Sequence, residues 1–161
     1  VSDGTWTLDK FAEYSAQATS DINGDGVYDK NDRYGFASLA KQIAPCFWIG
    51  AGCVSVKKDA DDLPVFDMEN ERMLSVLERA YDLTWGGKDW FVQKEGDWYS
   101  NTTLFAEDQV LFCNSTFSDI FGATLREMKS DYGIIPYPKY DEAQEKYYSR
   151  VEGGCPYSIP R

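Results

Sequence analysis

Residues Asp21 to Asp32 read DINGDGVYDKND, a dozen in which oxygen-bearing side chains recur at alternate places. Hard divalent cations take oxygen ligands, and a calcium loop draws them from fixed positions. Asp21, Asn23 and Asp25 stand first, third and fifth, and Gly26 is sixth, where such a loop turns sharply. Val27 offers a backbone carbonyl at the seventh place. Asp29 stands ninth, binding directly or through water, and Asp32 closes the twelfth. The pattern predicts a bound Ca2+. Asp32 departs from the helix-loop-helix form, which has Glu there; it is one methylene shorter and reaches the ion less easily. Without a metal the same residues make an Asn- and Gly-rich surface turn.

What flanks the loop is not the helix pair of a calcium sensor. Before it, Thr7 caps a helix reaching about Thr19, with Leu8, Phe11, Ala12 and Ser15 on one stripe. After it, Arg33-Tyr34-Gly35-Phe36-Ala37 suits a strand. An ion held between a helix and a strand pins a connection, so the predicted calcium is structural.

Other chemistries are narrowed by what the chain contains. It has 161 residues and no histidine, which removes the commonest general base and the commonest transition-metal ligand. Carboxylate chemistry alone survives, with Glu107, Asp108, Asp119 and Glu152 as possible members of a glycoside hydrolase pair. The net charge of -11 and the lack of a Lys/Arg cluster oppose binding to nucleic acid. Cys46, Cys53, Cys113 and Cys155 have no CxxC spacing, so zinc and dithiol readings are poor. Cys46 with Cys53, Cys113 with Cys155, or four free thiols all remain open. With 43% hydrophobic and 16% aromatic residues the chain folds into one domain. It has no apolar run of membrane-spanning length and no leader pattern, and its first residue is Val, which suggests an excised piece.

The elements follow from periodicity. Tyr34 to Ser38 reads as a strand, and Leu39 to Ala44 as a helical turn stopped by Pro45. The stretch 46–52 sets two large aromatics beside two glycines, suited to close backbone approach at an aromatic surface. Val54 to Val56 and Leu63 to Phe66 pair as a hairpin. Asp67 or Asn70 caps a helix to about Thr84 whose stripe of Met73, Val76, Leu77, Ala80 and Tyr81 is core. A glycine-interrupted aromatic loop carries Trp85 and Trp90. Asn101 to Ala106 is a short helix, and Val110 to Cys113 a buried strand emptying into Asn114-Ser115-Thr116. A helix over 118–129 follows, with Phe117, Phe121, Leu125 and Met128 inward. Tyr132 to Pro136 is a further strand, and 147–151 and 157–159 are extended. A buried strand ending in a polar turn and a helix start is where open α/β sheets place ligands.

This succession resembles the extracellular solute-binding proteins of ABC importers, in the carbohydrate-oriented family that includes maltodextrin-binding proteins. The resemblance rests on GTWTLDKF (Gly4 to Phe11), DINGDGVYDKNDRYGF (Asp21 to Phe36) and CFWIGAGC (Cys46 to Cys53). It continues through FAEDQVLFCNS (Phe105 to Ser115), DYGIIPYPKYDEAQEKYYS (Asp131 to Ser149) and GGCPYSIPR (Gly153 to Arg161). It implies an α/β fold, a periplasmic-binding-protein-like lobe with a mixed sheet flanked by helices, excised from a two-lobe protein. The chain is too short for both lobes and matches the second. Residue by residue, Phe47 and Trp48 match the aromatic segment facing the cleft, Asn114 and Ser115 the turn after the central strand, and Gly153 and Gly154 the return to the hinge. Sugars present apolar C–H faces beside hydroxyls, so Trp85 and Trp90 are added as stacking candidates and Glu152 as a hydroxyl acceptor.

The expected function is capture without turnover: a mono- or oligosaccharide, or another small solute, is bound outside the membrane and delivered to the permease of an ABC importer. The expected protein is a monomer and not an enzyme, at a bacterial surface as a lipoprotein or in the periplasm. Alternatives are the carboxylate glycoside hydrolase and another carbohydrate-binding module. A cellulosome-type adhesion module is opposed by the single loop, since dockerins carry two in shorter chains. The N-x-T sequons at Asn101 and Asn114 would accept glycans only in a eukaryotic secretory pathway.

Overall fold

The structure, a computed structural model, describes residues 1–87, 89–93 and 100–150. Helix α1 spans Leu8–Ala18, and Thr7 caps it by accepting the amide of Lys10. Its buried face is Leu8, Phe11 and Ser15, as the stripe predicts. Strand β1, Tyr34–Leu39, runs under this helix so closely that a Cβ on Gly35 would lie 2.2 Å from the Ser15 Cα. Only glycine admits that approach.

Helix α2 spans Ala40–Gly50 and continues through Pro45, correcting the expectation that proline ends it. Proline removes one backbone donor and crowds the carbonyl four residues earlier. Burial of Ile43, Cys46 and Phe47 against the core offsets that cost, so the helix runs on to Gly50, where a Cβ would lie 2.8 Å from the Pro138 carbonyl oxygen, the close approach expected there. Strands β2, Val56–Lys58, and β3, Pro64–Phe66, form the expected hairpin. Helix α3, Glu71–Trp85, is capped by Asn70 and buries Met73, Val76, Ala80 and Thr84. Tyr81, expected in its core stripe, is exposed.

Strand β4 (Trp90–Gln93), helix α4 (Ser100–Ala106) and strand β5 (Val110–Cys113) complete the main sheet. The order is β4-β1-β5, parallel throughout. The expected mixed sheet is thus divided: parallel pairs make the main sheet, and the antiparallel pair is the separate hairpin. The molecule is of the α/β class, with small sheets flanked by helices. Phe36 enters a core with Leu8, Phe11, Ile43, Phe47, Met73 and Val76. Its neighbour Ala37 joins Leu104 and Val110 of α4 and β5 in a second core, since successive strand side chains face opposite ways.

After β5 the expected long helix is two short ones, α5 (Phe117–Phe121) and α6 (Ala123–Arg126), divided by Gly122 in an extended conformation. The break ends the helical period, so Phe117 and Phe121 are exposed and only Leu125 is buried. Tyr132 to Pro136 joins no ladder, and Ile134 and Ile135 are exposed, which corrects the expected further strand. The segment that follows ties the helices together. Lys139 pairs with the chain at Trp6 and Leu8, and Gln144 binds both the Gly50 carbonyl and Arg72. Among the described residues no helix is long and apolar enough to cross a membrane.

Candidate functional site

Strands β1 and β5 are parallel neighbours, so their carboxyl ends open at the same edge. There β1 passes into α2, which packs on α3, while β5 passes into α5; α4 covers the sheet on the Leu104 side. Crevices outside the carboxyl ends of such strands are the ligand position of open α/β sheets. Here the crevice measures about 160 Å3 and is lined by Leu39, Gln42, Asn101, Thr102, Asn114, Ser115, Thr116 and Asp119.

Its centre is Asn114. The Asn114 Oδ1 accepts the Tyr137 hydroxyl at 3.2 Å, and its Nδ2 donates to Ser38 Oγ at 3.3 Å and Gln42 Oε1 at 3.1 Å. The Asn114 carbonyl accepts Asn101 Nδ2 at 3.0 Å, fixing the start of α4 to the end of β5. One turn on, Asp119 closes a capping box: its Oδ2 accepts the Thr116 amide at 2.8 Å and the Ser115 hydroxyl at 3.0 Å. Cys113, beneath the turn, is pushed up to about 12 by burial first and the Asp119 charge second, with the Asn101 hydrogen bond acting the other way. Its thiol therefore stays protonated and is a poor nucleophile and metal ligand. Cys46, Cys53 and Cys113 are free thiols, so a Cys46–Cys53 bridge is not formed; Cys155 lies outside the described residues.

The crevice adjoins a larger cleft of about 1440 Å3, with which it shares Gln42, Asn114, Ser115 and Thr116. Trp6, Phe11, Phe47 and Phe112 border that cleft, the first three almost wholly within the core, and Tyr132 to Pro138 line another part of it. The Trp6 indole donates to the Pro136 carbonyl at 3.0 Å, which ties the two parts together.

Among the predicted ligand contacts, Asn114 and Ser115 meet in the crevice, and Phe47 reaches the cleft beside it. Phe47 is nevertheless a core residue, 3% exposed and stacked on Trp90 at 5.2 Å. Trp90 is buried, Trp48 packs against the same core, and Trp85 sits exposed at the end of α3 beside Tyr81. The three tryptophans are not brought to the cleft. Glu152, Gly153 and Gly154 lie outside the described residues. Glu107 and Asp108 precede β5 while Asp119 follows it, so these carboxylates stand at opposite ends of the strand. Sequence reasoning missed Gln42, Asn101 and Thr102 as lining residues. Gln42 carries one faint signal, a lone amide in the otherwise apolar run 42–49.

The calcium-type loop lies apart from this crevice. Asp21 accepts the amides of Gly24 and Gly26 at 2.6 and 2.8 Å, Asn23 that of Asp25, and Asp25 that of Val27. Gly24 and Gly26 take positive φ, which glycine adopts without strain. Asp29 accepts the amide of Asn31. Asp32 is fully buried, and its two oxygens accept the amides of Ile22 and Asp29 at 3.0 and 2.8 Å. Below the loop, Ser20 and Arg33 exchange backbone hydrogen bonds at 3.0 Å each. The donor chemistry of Asp21, Asn23, Asp25 and Asp29 suits a hard cation, because each carboxylate retains acceptor capacity beyond the amides it holds. Asp32 fits a brace for the loop better than a closing ligand. Among the described residues no three acidic, cysteine or histidine side chains are grouped as a metal cage.

Compared with protein-family models, with curated proteins and with solved structures, the chain returned no match in any of the three.

Proposed function

We propose that this chain is a lobe of an extracellular solute-binding protein that captures a mono- or oligosaccharide without chemical turnover and hands it to an ABC importer. The observation that carries the reading is the crevice at the carboxyl ends of β1 and β5. It is lined by planar amides, hydroxyls and one carboxylate, and it opens onto an aromatic cleft. Amides and carboxylates hydrogen-bond sugar hydroxyls, while aromatic faces accept the C–H surface of the ring. Capture rather than turnover is favoured by a protonated Cys113, a chain without histidine, and carboxylates held at opposite ends of β5. The importer, the second lobe and the bacterial surface or periplasmic setting are supported by the sequence resemblance. Calcium at Asp21, Asn23, Asp25, the Val27 carbonyl and Asp29, with Asp32 bracing from beneath, belongs to the same reading as a structural ion.

The test is a titration of the protein, with calcium present, against mono- and oligosaccharides while tryptophan fluorescence is followed. Trp6 lines the cleft and serves as the reporter. Saturable binding with the sugar recovered unchanged is the expected result. Release of reducing ends, or silence across the panel, overturns it.

A further inference from the structure

The geometry points to Gln42 and Asp119 as the two side chains that read the solute in the crevice, selecting a neutral or amine-bearing group and rejecting an anionic one. This rests on the capture reading above.

The orientation of Gln42 follows from a chain of hydrogen bonds. Cys46 donates to the Tyr137 hydroxyl at 3.3 Å, and that hydroxyl donates to Asn114 Oδ1. The Asn114 Nδ2 must then face Ser38 and Gln42, where it meets Gln42 Oε1. With its oxygen taken, Gln42 turns its Nε2 donors away from Asn114, and they find no hydrogen-bond partner among the described residues. Asp119 is the complementary case. Its Oδ2 accepts the Thr116 amide and the hydroxyls of Ser115 and Thr116, while its Oδ1 accepts none among the described residues. In the crevice Gln42 thus keeps a spare donor group and Asp119 a spare acceptor.

A hydroxyl satisfies both, accepting from Gln42 and donating to Asp119, and an ammonium pairs with Asp119. A carboxylate or phosphate meets the charge of Asp119, and no Lys or Arg among the described residues lines the crevice to balance it. The net charge of -11 adds repulsion in the same sense. A volume of about 160 Å3 admits one ring-sized end of a solute, with the remainder in the adjoining cleft.

Glucose, glucosamine and glucuronate, the last two each differing from glucose at one charged substituent, are titrated against the wild type, three single variants and one double variant, each checked for an unchanged melting temperature. The wild type is expected to bind glucose and glucosamine at least about tenfold more tightly than glucuronate, and Asp119→Asn to narrow that gap by about tenfold. Gln42→Met is expected to weaken glucose binding about tenfold. Asn114 acts through Gln42 as a positioning residue. Asn114→Ala should therefore weaken binding alone and add little in the Gln42→Met background, a non-additivity that a merely structural role would not give. If sugars bind but glucuronate binds as tightly as glucose, or Asp119→Asn leaves the gap unchanged, this inference falls and the capture reading stands. If no sugar in the wider panel binds, both fall.

Discussion

At the scale of single residues, two strongly perturbed groups sit on paired strands, Cys113 on β5 and Tyr34 on β1. Cys113 is pushed up to about 12 by burial and then by Asp119, and Tyr34 is pushed up to about 12 by burial and then by the carboxylates of Asp32 and Asp29. Both keep protons in the folded state that the unfolded chain releases above the ordinary values of 9.0 and 10.0. The folded state then binds more protons than the unfolded one, so stability falls as pH rises from about 9 toward 12. Urea midpoints measured across that window should decline. Cys113→Ser should remove the part of the decline that begins near the thiol value, leaving the part due to Tyr34. A flat profile for the wild type would mean that neither group is shielded as described. Asn114 and Ser115 were legible in the sequence because a buried strand running into a polar turn and a helix start is a local pattern. Gln42 and Asn101 were not, because they meet Asn114 only through the pairing of β1 with β5 and the packing of α4, which no local window contains.

At the scale of elements, α1 and α3 were legible because apolar periodicity and a capping side chain agree at each, and β5 because a short apolar run ends in a polar turn. The failures share a cause, tertiary contact overriding a local signal. Tyr132 to Pro136 has the composition of a strand, but pairing also needs an edge in register, and Pro136 brings no donor. Phe117, Phe121 and Leu125 keep a four-residue interval that predicts one helical stripe, yet Gly122 breaks the helix between the second and the third. Helix α2 errs in the other direction, since burial of Ile43, Cys46 and Phe47 carries it past Pro45. That arrangement makes a testable demand. Alanine at position 45 would return a backbone N–H to the helix interior and relieve the ring clash, a difference of up to about 3 kcal/mol. The looser unfolded chain returns roughly 0.4 to 1 kcal/mol of this, and lost proline packing returns some more. Pro45→Ala should therefore raise stability by about 1 to 2 kcal/mol in urea denaturation. No change, or a loss, would mean that α2 stops at Pro45 as the sequence suggests.

At the scale of the whole molecule, the net charge of -11 and the calcium-type loop bear on the same quantity, stability as a function of dissolved cations, and they can be separated. Diffuse repulsion among surface carboxylates is relieved by any salt in proportion to ionic strength, because screening does not distinguish one cation from another. A site built on Asp21, Asn23, Asp25 and Asp29 acts differently. It sits between α1 and β1, above the Ser20–Arg33 backbone pair, so an ion there fixes the connection that places β1 under α1. Binding to the folded state alone stabilises by an amount that grows with the logarithm of free ligand once the site fills, about 2.7 kcal/mol at a hundredfold excess over Kd. Calcium at low ionic strength should then raise the melting temperature at concentrations where sodium chloride of matched ionic strength does nothing, and a chelator should reverse the rise. Asp21→Ala should abolish the calcium response at some cost in basal stability, since Asp21 also holds the amides of Gly24 and Gly26. Asp25→Asn keeps the acceptor for the Val27 amide while removing a charge, so it should weaken the response without that cost. Equal shifts from calcium and from matched sodium chloride would reduce the loop to an acidic turn that orders itself through its own amides.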